Sequence, residues 1–335
     1  MTDSGAPPFV CPDCRASVGL TTGGYRCSAC ALFYPVLFGI PDFRIRGDQY
    51  LSLDDDREKA GRLHNYGLEH DFASLLAFYY SITDDVPGHL APGFANYVLN
   101  AADRARLQLQ LLAPSGGRIL LDLGCGSGGA LVAGTATFQT CVGVDIALRW
   151  LVVAQKRLAE TGVDAQLVCA DAEALPFADR SFSHVLGSDL LENTRSPKDA
   201  LCSAASAMGA GGRIYISASN RRWIGPHAAT RVWAAGLLHD RVRSKLLRRR
   251  HSVDILRAVS FVSPASVRRM AQDCNLLHLA TEPFVPGTGQ LQNRSAVFRM
   301  LARAYSLIAR APVTRTIMTA AGPVFQSVFA KEGAS

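Results

Sequence analysis

The stretch from Ile119 to Gly129, ILLDLGCGSGG, decides the fold of this chain. A short apolar run with one acidic residue is typical of a buried β-strand, and the glycines after it indicate a tight turn before a helix. Glycine lets the backbone approach a ligand at a distance that a Cβ would forbid. The first N–H groups of the next helix have no partner within that helix and can bind a ligand. The stretch therefore predicts a strand, a loop that holds a nucleotide-type ligand, and a helix.

Acidic residues recur where the next two strands should end. Asp145 closes CVGVD about 20 residues after the glycine turn, where a carboxylate can accept hydrogen bonds from both hydroxyls of a ribose. Asp171 follows the apolar run AQLVCA, where its carboxylate and the neighbouring backbone could contact the edge of an adenine. The glycines are spaced GxGxG rather than GxGxxG, which disfavours a dinucleotide pyrophosphate site. The three sites in order predict one adenosine-type ligand.

This set of motifs resembles the class I S-adenosylmethionine-dependent methyltransferases. Their pattern is a strand with DxGxGxG, an acidic end to the second strand, and a D-A-x-x-L-P-F turn after the third, and it covers roughly residues 100–220 here. The resemblance implies S-adenosylmethionine as cofactor and an α/β fold with a doubly wound, mostly parallel, seven-stranded Rossmann-like sheet. The cofactor-binding residues that it implies are Asp122, Gly124, Cys125, Gly126, Gly128, Asp145, Ile146, Asp171, Ala172 and Ser188.

The rest of the chain repeats the alternation of strand and helix that a parallel doubly wound sheet requires. The patterns predict strands near residues 118–123, 140–145, 165–169, 183–188, 212–218 and 276–284. They predict helices near residues 128–137, 147–161, 196–208 and 264–274. The terminal GPVFQSVFAKE alternates like a strand and resembles the antiparallel seventh strand of the family.

Four of the nine cysteines form two CxxC pairs near the N-terminus, Cys11 with Cys14 and Cys27 with Cys30. Each pair can place two thiolates on one tetrahedral ion, so the spacing predicts a structural Zn²⁺ in a zinc ribbon. Four protein thiolates leave no open coordination position, which excludes a catalytic zinc. The ribbon is expected to dock through aromatic and apolar residues, namely Phe33, Tyr34, Phe38 and Ile40. The other five cysteines are expected to be buried and reduced.

The composition divides the chain into three parts. Residues 1–46 are predicted to be the zinc ribbon and residues 47–112 a linker with an N-terminal helical cap. Within that part, the charged segment 47–67 indicates a linker or exposed loop. Tyr79, Tyr80, His64 and His70 of the cap are candidate acceptor contacts, although an aromatic helical stripe is more often core. Residues 113–335 are predicted to be the methyltransferase domain, with a helical insert around 221–262 and a basic amphipathic insert around 290–312.

Two residues in loops after predicted strands are candidates for catalysis. Asp189 follows the fourth strand, where a carboxylate could accept an acceptor proton or could merely cap the next turn. His227 follows the fifth strand, and an imidazole titrates near neutral pH, although a lone histidine is more often structural. Neither candidate follows from spacing alone.

The excess positive charge of this protein does not by itself identify a binding partner. The formal net charge is +7, and much of the excess lies in Arg241–His251 and Val297–Arg310. Such segments could contact RNA, contact an anionic membrane surface, or serve solubility alone. The first run has no aromatic residues for base stacking, which makes RNA the less favoured partner. No apolar run is long enough to span a bilayer and the N-terminus is polar, so a cytoplasmic location is expected.

The sequence therefore predicts a zinc-bearing methyltransferase that uses S-adenosylmethionine and acts on a small or lipid-like metabolite, with oxygen as the expected acceptor atom. The first alternative is a ribosomal or transfer RNA methyltransferase. The second is a non-catalytic protein that keeps cofactor binding and acts through association. The acceptor and the oligomeric state are not determined by the sequence.

Overall fold

A computed structural model describes residues 7–83, 91–112, 118–227, 230, 232–248, 259–287, 291 and 295–333. A small sheet and four helices come first: β1 (Val18–Thr21), β2 (Gly24–Cys27), β3 (Phe33–Leu37), β4 (Ile40–Pro41), α1 (Leu53–Glu69), α2 (Phe72–Ser81), α3 (Ala91–Leu99) and α4 (Ala101–Leu112). Strands and helices then alternate: β5 (Ile119–Leu123), α5 (Gly129–Gly134), β6 (Thr140–Asp145), α6 (Leu148–Thr161), β7 (Gln166–Cys169), β8 (Phe182–Ser188), α7 (Pro197–Ala207), β9 (Met208–Ser219), α8 (Asp240–Arg248), α9 (Pro264–Asp273), β10 (Leu276–Pro283), α10 (Ala296–Arg310), α11 (Pro312–Ala321) and β11 (Val324–Lys331).

The large sheet has seven strands in the order β10-β11-β9-β8-β5-β6-β7. Strands β5 to β9 pair in parallel, whereas β11 runs antiparallel to both of its neighbours. From β5 the chain adds β6 and β7 on one side of that strand and then crosses back, so that β8 pairs with β5 on its other side. Ligands bind beyond the carboxyl ends of strands at such a reversal. The predicted fold class is confirmed, including the reversed seventh strand.

The small sheet β1-β2-β3-β4 docks on the edge strand of the large one. The Phe43 backbone N–H donates to the Cys169 carbonyl at 2.8 Å, directly after β4. The rings of Phe9 and Phe43 pack at 4.8 Å between centroids, and Phe9 also contacts Phe177. Of the residues predicted to dock the ribbon, Tyr34 and Ile40 are buried. Phe33 is 42% exposed, so its predicted docking role is wrong.

The segment 47–67 is not a linker, because α1 begins at Leu53 within it. Ser52 caps the helix by accepting a hydrogen bond from the Asp55 N–H, as expected for serine at an N-cap. Asp56 on this helix is fully buried and pairs with two arginines, Arg44 at 2.6 Å and Arg149. The charged composition of this segment suggested an exposed loop. Some of these charged residues are instead buried in ion pairs, which hold the helix together with apolar contacts.

The prediction that all five scattered cysteines are free is wrong for two of them. Cys202 on α7 and Cys274 after α9 form a disulfide, because these helices pack together and bring the two Cα atoms to 4.8 Å. A separation of 72 residues hid this pairing from a reading of the sequence. The other three, Cys125, Cys141 and Cys169, are free and buried as predicted.

The two predicted inserts contain helices in their described parts. Within the first, α8 is basic, and residues 249–258 lie outside the described residues. Within the second, α10 is amphipathic as predicted, and residues 288–290 and 292–294 lie outside the described part. Among the helices that the structure describes, none has the length and apolar character to cross a bilayer.

Candidate active site

The carboxyl ends of β5, β6 and β8 open into a cleft of about 380 Å³. Strand ends, the glycine loop and the segment after the small sheet form its wall. Among the lining residues are Asp48, Gln49, Tyr50, Tyr97, Gly124, Gly126, Asp145, Ile146, Trp150, Asp171, Ala172, Asp189 and Asn193. A smaller lobe of about 170 Å³ shares part of this wall and adds Asp122, Cys125, Ser127 and Ser188. All but one of the cofactor residues predicted from the sequence therefore line one two-lobed site, the exception being Gly128.

The glycine loop has a backbone that only glycine adopts without strain. Gly124 has φ +77°, and a Cβ there would lie 3.0 Å from the Leu190 side chain. Gly128 has φ +73° and caps α5, and a Cβ there would lie 3.1 Å from Ala154 Cβ. Left-handed backbone at alternate loop positions, Gly124, Gly126 and Gly128, turns the chain sharply and exposes backbone to the cleft. Gly128 thus shapes the loop from behind rather than lining the cleft.

Asp122, at the end of β5, has a buried carboxylate oxygen without a partner. The residue is 3% exposed, and among the described residues Oδ2 receives no hydrogen bond. Burial raises the pKa of Asp122 to about 8, with a further contribution from the nearby charge of Asp145. A buried polar atom left unpaired is costly, so its persistence beside a cavity indicates that a ligand supplies the partner. A cationic group satisfies this carboxylate best.

Asp145, at the end of β6, ties the glycine loop to the start of α6. Its Oδ2 accepts the Gly126 N–H at 2.8 Å and its Oδ1 accepts the Ala147 N–H at 2.9 Å. Burial raises the pKa of this carboxyl. Each carboxylate oxygen can accept more than one hydrogen bond, so Asp145 retains capacity for hydroxyl groups in the cleft.

Asp171 is held by ion pairs at the rim of the cleft. Its Oδ2 accepts from Arg46 at 3.0 Å and from Arg195 at 3.2 Å, and its Oδ1 accepts the Glu173 N–H. Arg46 belongs to the segment that follows the small sheet. Its ion pair with Asp171 therefore links that segment to the end of β7. Both Asp171 and Ala172 line the cleft, as the sequence predicts.

Asp189 follows β8 directly and lines the cleft, where its carboxylate accepts hydrogen bonds from two hydroxyl groups. Its backbone has φ +52°, which is uncommon for a residue with a side chain. The Tyr97 hydroxyl donates to Asp189 Oδ2, and the Ser217 hydroxyl donates to Oδ1 at 3.2 Å. Burial and the charge of Asp189 raise the pKa of Tyr97. Ser188 lies beside this group and accepts a hydrogen bond from Gln108 at 2.8 Å.

Comparison with known proteins places residues 121–216 in a family described as a methyltransferase domain. The match runs from the strand before the glycine loop through the strand beside Asp189.

The chain contains a class I S-adenosylmethionine-dependent methyltransferase domain.

Relatives of this methyltransferase domain include a ubiquinone biosynthesis O-methyltransferase of Thiobacillus denitrificans, 29% identical over 49% of this chain and 66% of the relative. A demethylmenaquinone methyltransferase of Tropheryma whipplei is 30% identical over 38% of this chain and 54% of the relative. The chain thus spans less than two thirds of the length of these relatives. A solved structure, the YcgJ protein from Bacillus subtilis, covers 69% of this chain at 17% identity with a TM-score of 0.44.

The structure does not bring His227 to the cleft of the methyltransferase domain. His227 is 3% exposed and stacks near Phe261, and neither ring nitrogen has a partner among the described residues. Burial, with the charge of Arg243, lowers its pKa to about 4. The residues that line either lobe, within the described chain, do not include it. Its predicted role as a base gains no support from this position.

The predicted acceptor contacts of the helical cap pack on other rings and are not among the described residues that line the cleft. Tyr79 is 5% exposed and packs on Trp150 at 4.2 Å between ring centroids. His64 stacks on Phe38, and His70 stacks on Tyr66. Tyr80 packs near Trp150 as well.

The four N-terminal cysteines form a cluster that suits a metal ion. Cys11, Cys14, Cys27 and Cys30 place their sulfur atoms within 4.8 Å of one another. Four thiolates at this spacing match a closed tetrahedral zinc site, which is structural rather than catalytic. The buried Tyr34 hydroxyl lies 3.1 Å from Cys11 Sγ, within hydrogen-bond distance, and so helps to orient that sulfur.

Sequence reasoning missed the segment that covers the cleft. Asp48, Gln49 and Tyr50 line it, and Asp48 pairs with Arg149 at 2.6 Å. Nothing in their local sequence distinguishes them from a linker. Trp150 could have been found, because it lies two residues into a helix that starts at the predicted ribose site.

Proposed function

We propose that this protein transfers a methyl group from S-adenosylmethionine to a small or lipid-like acceptor, at a hydroxyl oxygen. The observation that carries this proposal is the unpartnered, buried Oδ2 of Asp122 beside the glycine loop. When bound, the cofactor supplies an electrophilic methyl group on a sulfonium. The protein then has to align the acceptor and accept its proton.

Three carboxylates would hold the cofactor along the cleft. Asp122, in the smaller lobe, would accept hydrogen bonds from the ammonium of the methionine moiety, and Asp145, in the larger lobe, would accept hydrogen bonds from the ribose hydroxyls. Asp171, with the backbone of Ala172, would contact the adenine. The order of these groups along the sheet edge follows the order of β5, β6 and β7, so one extended ligand reaches all of them.

Asp189 is the group that we assign to proton acceptance. It lines both lobes, and two donors fix its carboxylate, Tyr97 and Ser217. A general base must lie within hydrogen-bond reach of the acceptor's proton, and we choose Asp189 because it lines the cleft, whereas His227 is not among the described residues that line either lobe. The phenol of Tyr97 and the indole of Trp150 give this part of the cleft aromatic surface, which suits a ring-bearing acceptor.

The names of the relatives support an acceptor of this class. Both names refer to a quinone: one relative is a ubiquinone biosynthesis O-methyltransferase and the other a demethylmenaquinone methyltransferase. Quinone precursors are ring compounds with long apolar tails. We favour oxygen over carbon as the acceptor atom because a fixed carboxylate can take the proton of a hydroxyl group.

The RNA alternative is less favoured because the arginines of the small sheet bind the protein itself. Arg15 contacts the Leu175 and Phe177 carbonyls and Asp179, and Arg44 is buried in ion pairs. Arg26 lies over the Phe33 ring. Because these arginine side chains already contact the protein itself, the ribbon has few arginines left to bind phosphate groups.

The test is an assay with methyl-labelled S-adenosylmethionine, given total RNA or an organic extract of the native cell. Label in the organic pool supports the proposal, and label in RNA supports the first alternative. Binding of the cofactor without label in either pool supports the non-catalytic alternative. Once a substrate is found, Asp189→Asn should lower kcat about 100-fold or more and leave cofactor affinity unchanged. Asp164→Asn, at an exposed position, is the matched control.

A further inference from the structure

Helix α10 (Ala296–Arg310) has three distinct faces. One face packs on the protein through Ala302 and Ala309, which are 8% and 1% exposed. A second face is basic and consists of Arg299, Arg303 and Arg310. The third face is apolar and yet exposed, and it spans about 120° of the helical circumference. Its large side chains are Val297, Met300, Leu301, Leu307 and Ile308.

The apolar face continues onto the next helix, α11 (Pro312–Ala321). Val313 and Ile317 on that helix are 85% and 59% exposed. The two helices pack against each other. The Tyr305 hydroxyl donates to the Phe284 carbonyl at 3.1 Å and anchors the pair to the end of β10. We call this exposed apolar face of α10 and α11, with the bordering arginines, the helical-pair surface.

The helical pair lies at the same sheet edge as the cleft. The Asn220 N–H, directly after β9, donates to the Pro323 carbonyl at 2.9 Å, and its side chain donates to the Ala320 carbonyl at 3.0 Å. Strand β9 is the parallel neighbour of β8, whose carboxyl end carries Asp189. The exposed surface and the catalytic carboxylate therefore share the carboxyl edge of the sheet.

We propose that the helical-pair surface docks on the surface of an anionic lipid bilayer. An exposed apolar face bordered by arginines on one helix matches the chemistry of the boundary between acyl chains and phosphate headgroups. Arg303 and Arg310 are exposed and form no ion pair within the described chain, so they can reach phosphate groups. A second copy of this chain is the weaker occupant, because two basic faces would meet in a protein of net charge +7.

Docking here gives the acceptor a route to the cleft. A lipid-like acceptor resides in the bilayer, and the docked edge of the sheet is the edge at which Asp189 lies. This link to the acceptor rests on the proposed function. The docking itself does not, because it involves neither cofactor nor turnover.

The test is flotation of the purified full chain, without cofactor, on phosphatidylcholine vesicles with and without phosphatidylglycerol. Arg303→Glu with Arg310→Glu should lower the partition coefficient on anionic vesicles by at least about 25-fold, at about fivefold for each arginine lost. Leu301→Ser with Leu307→Ser should lower it by a similar factor or more, because two exposed leucines no longer enter the boundary. These positions are exposed, and circular dichroism and cofactor binding check that the variants fold.

Matched controls make the same changes elsewhere on the surface. Arg62→Glu with Arg118→Glu changes the net charge equally, and Leu20→Ser with Leu68→Ser removes two apolar side chains that are 74% and 70% exposed. Both controls should bind anionic vesicles with little change. Equal binding by the parent and both test variants would overturn the proposal. A parent that ignores vesicles but forms a dimer that Leu301→Ser with Leu307→Ser dissociates would also overturn it, in favour of a second copy.

Discussion

Replacement of Asp122 by asparagine tests whether this carboxyl is a neutral acid that cofactor binding ionises. With a pKa of about 8, the buried carboxyl of the free protein carries a proton in about 0.9 of the molecules at pH 7. An ammonium placed at its open Oδ2 favours the carboxylate. Cofactor binding at pH 7 should therefore release up to about 0.9 of a proton from this site, falling to about 0.5 at pH 8.

Calorimetry in buffers of different ionisation enthalpy counts that proton. The observed enthalpy of cofactor binding plotted against the buffer's ionisation enthalpy gives the number released as its slope. Asp122→Asn should lose this part of the slope and weaken binding, because the neutral amide cannot pair with the ammonium. Asp145 also has a raised pKa but is present in both proteins, so the difference isolates Asp122. Equal slopes in parent and variant would refute the reasoning.

The same raised pKa sets how the stability of the cofactor-free protein depends on pH. The folded pKa of about 8 lies above the ordinary 3.8, so the folded state binds the proton more tightly than the unfolded state. The resulting stabilisation is present in full below about pH 4 and is lost as the pH rises through 8. Between pH 5.5 and 8 the parent should lose up to roughly 3 kcal/mol of unfolding free energy that Asp122→Asn keeps, as urea titrations would measure. Parallel pH profiles would contradict this.

Three further substitutions test the cofactor site, the metal cluster and the buried ion pairs. Asp145→Ala should weaken cofactor binding roughly 100-fold, since two charge-assisted hydrogen bonds to the ribose are lost, and unchanged affinity by calorimetry would exclude the assignment. Cys27→Ser should lower the zinc content measured by mass spectrometry and destabilise the ribbon, whereas Cys141→Ser, at a buried cysteine outside the cluster, should retain the metal. Asp56→Ala leaves two buried arginines without their shared carboxylate and should cost about 3–5 kcal/mol of unfolding free energy in urea titrations. Asp54→Ala, at an exposed position on the same helix, should cost little. Similar losses in both variants would show that the ion pairs do not stabilise α1.

Prediction from the sequence succeeded where the chemistry is local. The tight turn at Gly124 and Gly128 could be predicted from the sequence, because both residues have positive φ and few residues other than glycine tolerate that backbone. The cysteine spacing predicted the four-sulfur cluster for a similar reason, since two short CxxC turns suffice to build it. The periodic apolar pattern predicted the strands and helices of the sheet, whose described bounds differ from the prediction by a few residues.

Prediction failed where a residue's role depends on partners far along the chain. Asp56 looks like one of three exposed acids in a row, and only the approach of Arg44 and Arg149 makes it a buried ion-pair partner. The pairing of Cys202 with Cys274 needs two helices to pack side by side.

The sequence by itself thus determined the class of fold, the glycine loop and the four-cysteine cluster, because short-range sterics and spacing specify them. Only the tertiary structure decided which side chains line the cleft. It placed Tyr97 on Asp189 across 92 residues and moved His227 out of the site, because burial and facing depend on how whole elements pack. It also laid the segment of Asp48 and Tyr50 over the cleft, which no local pattern encodes.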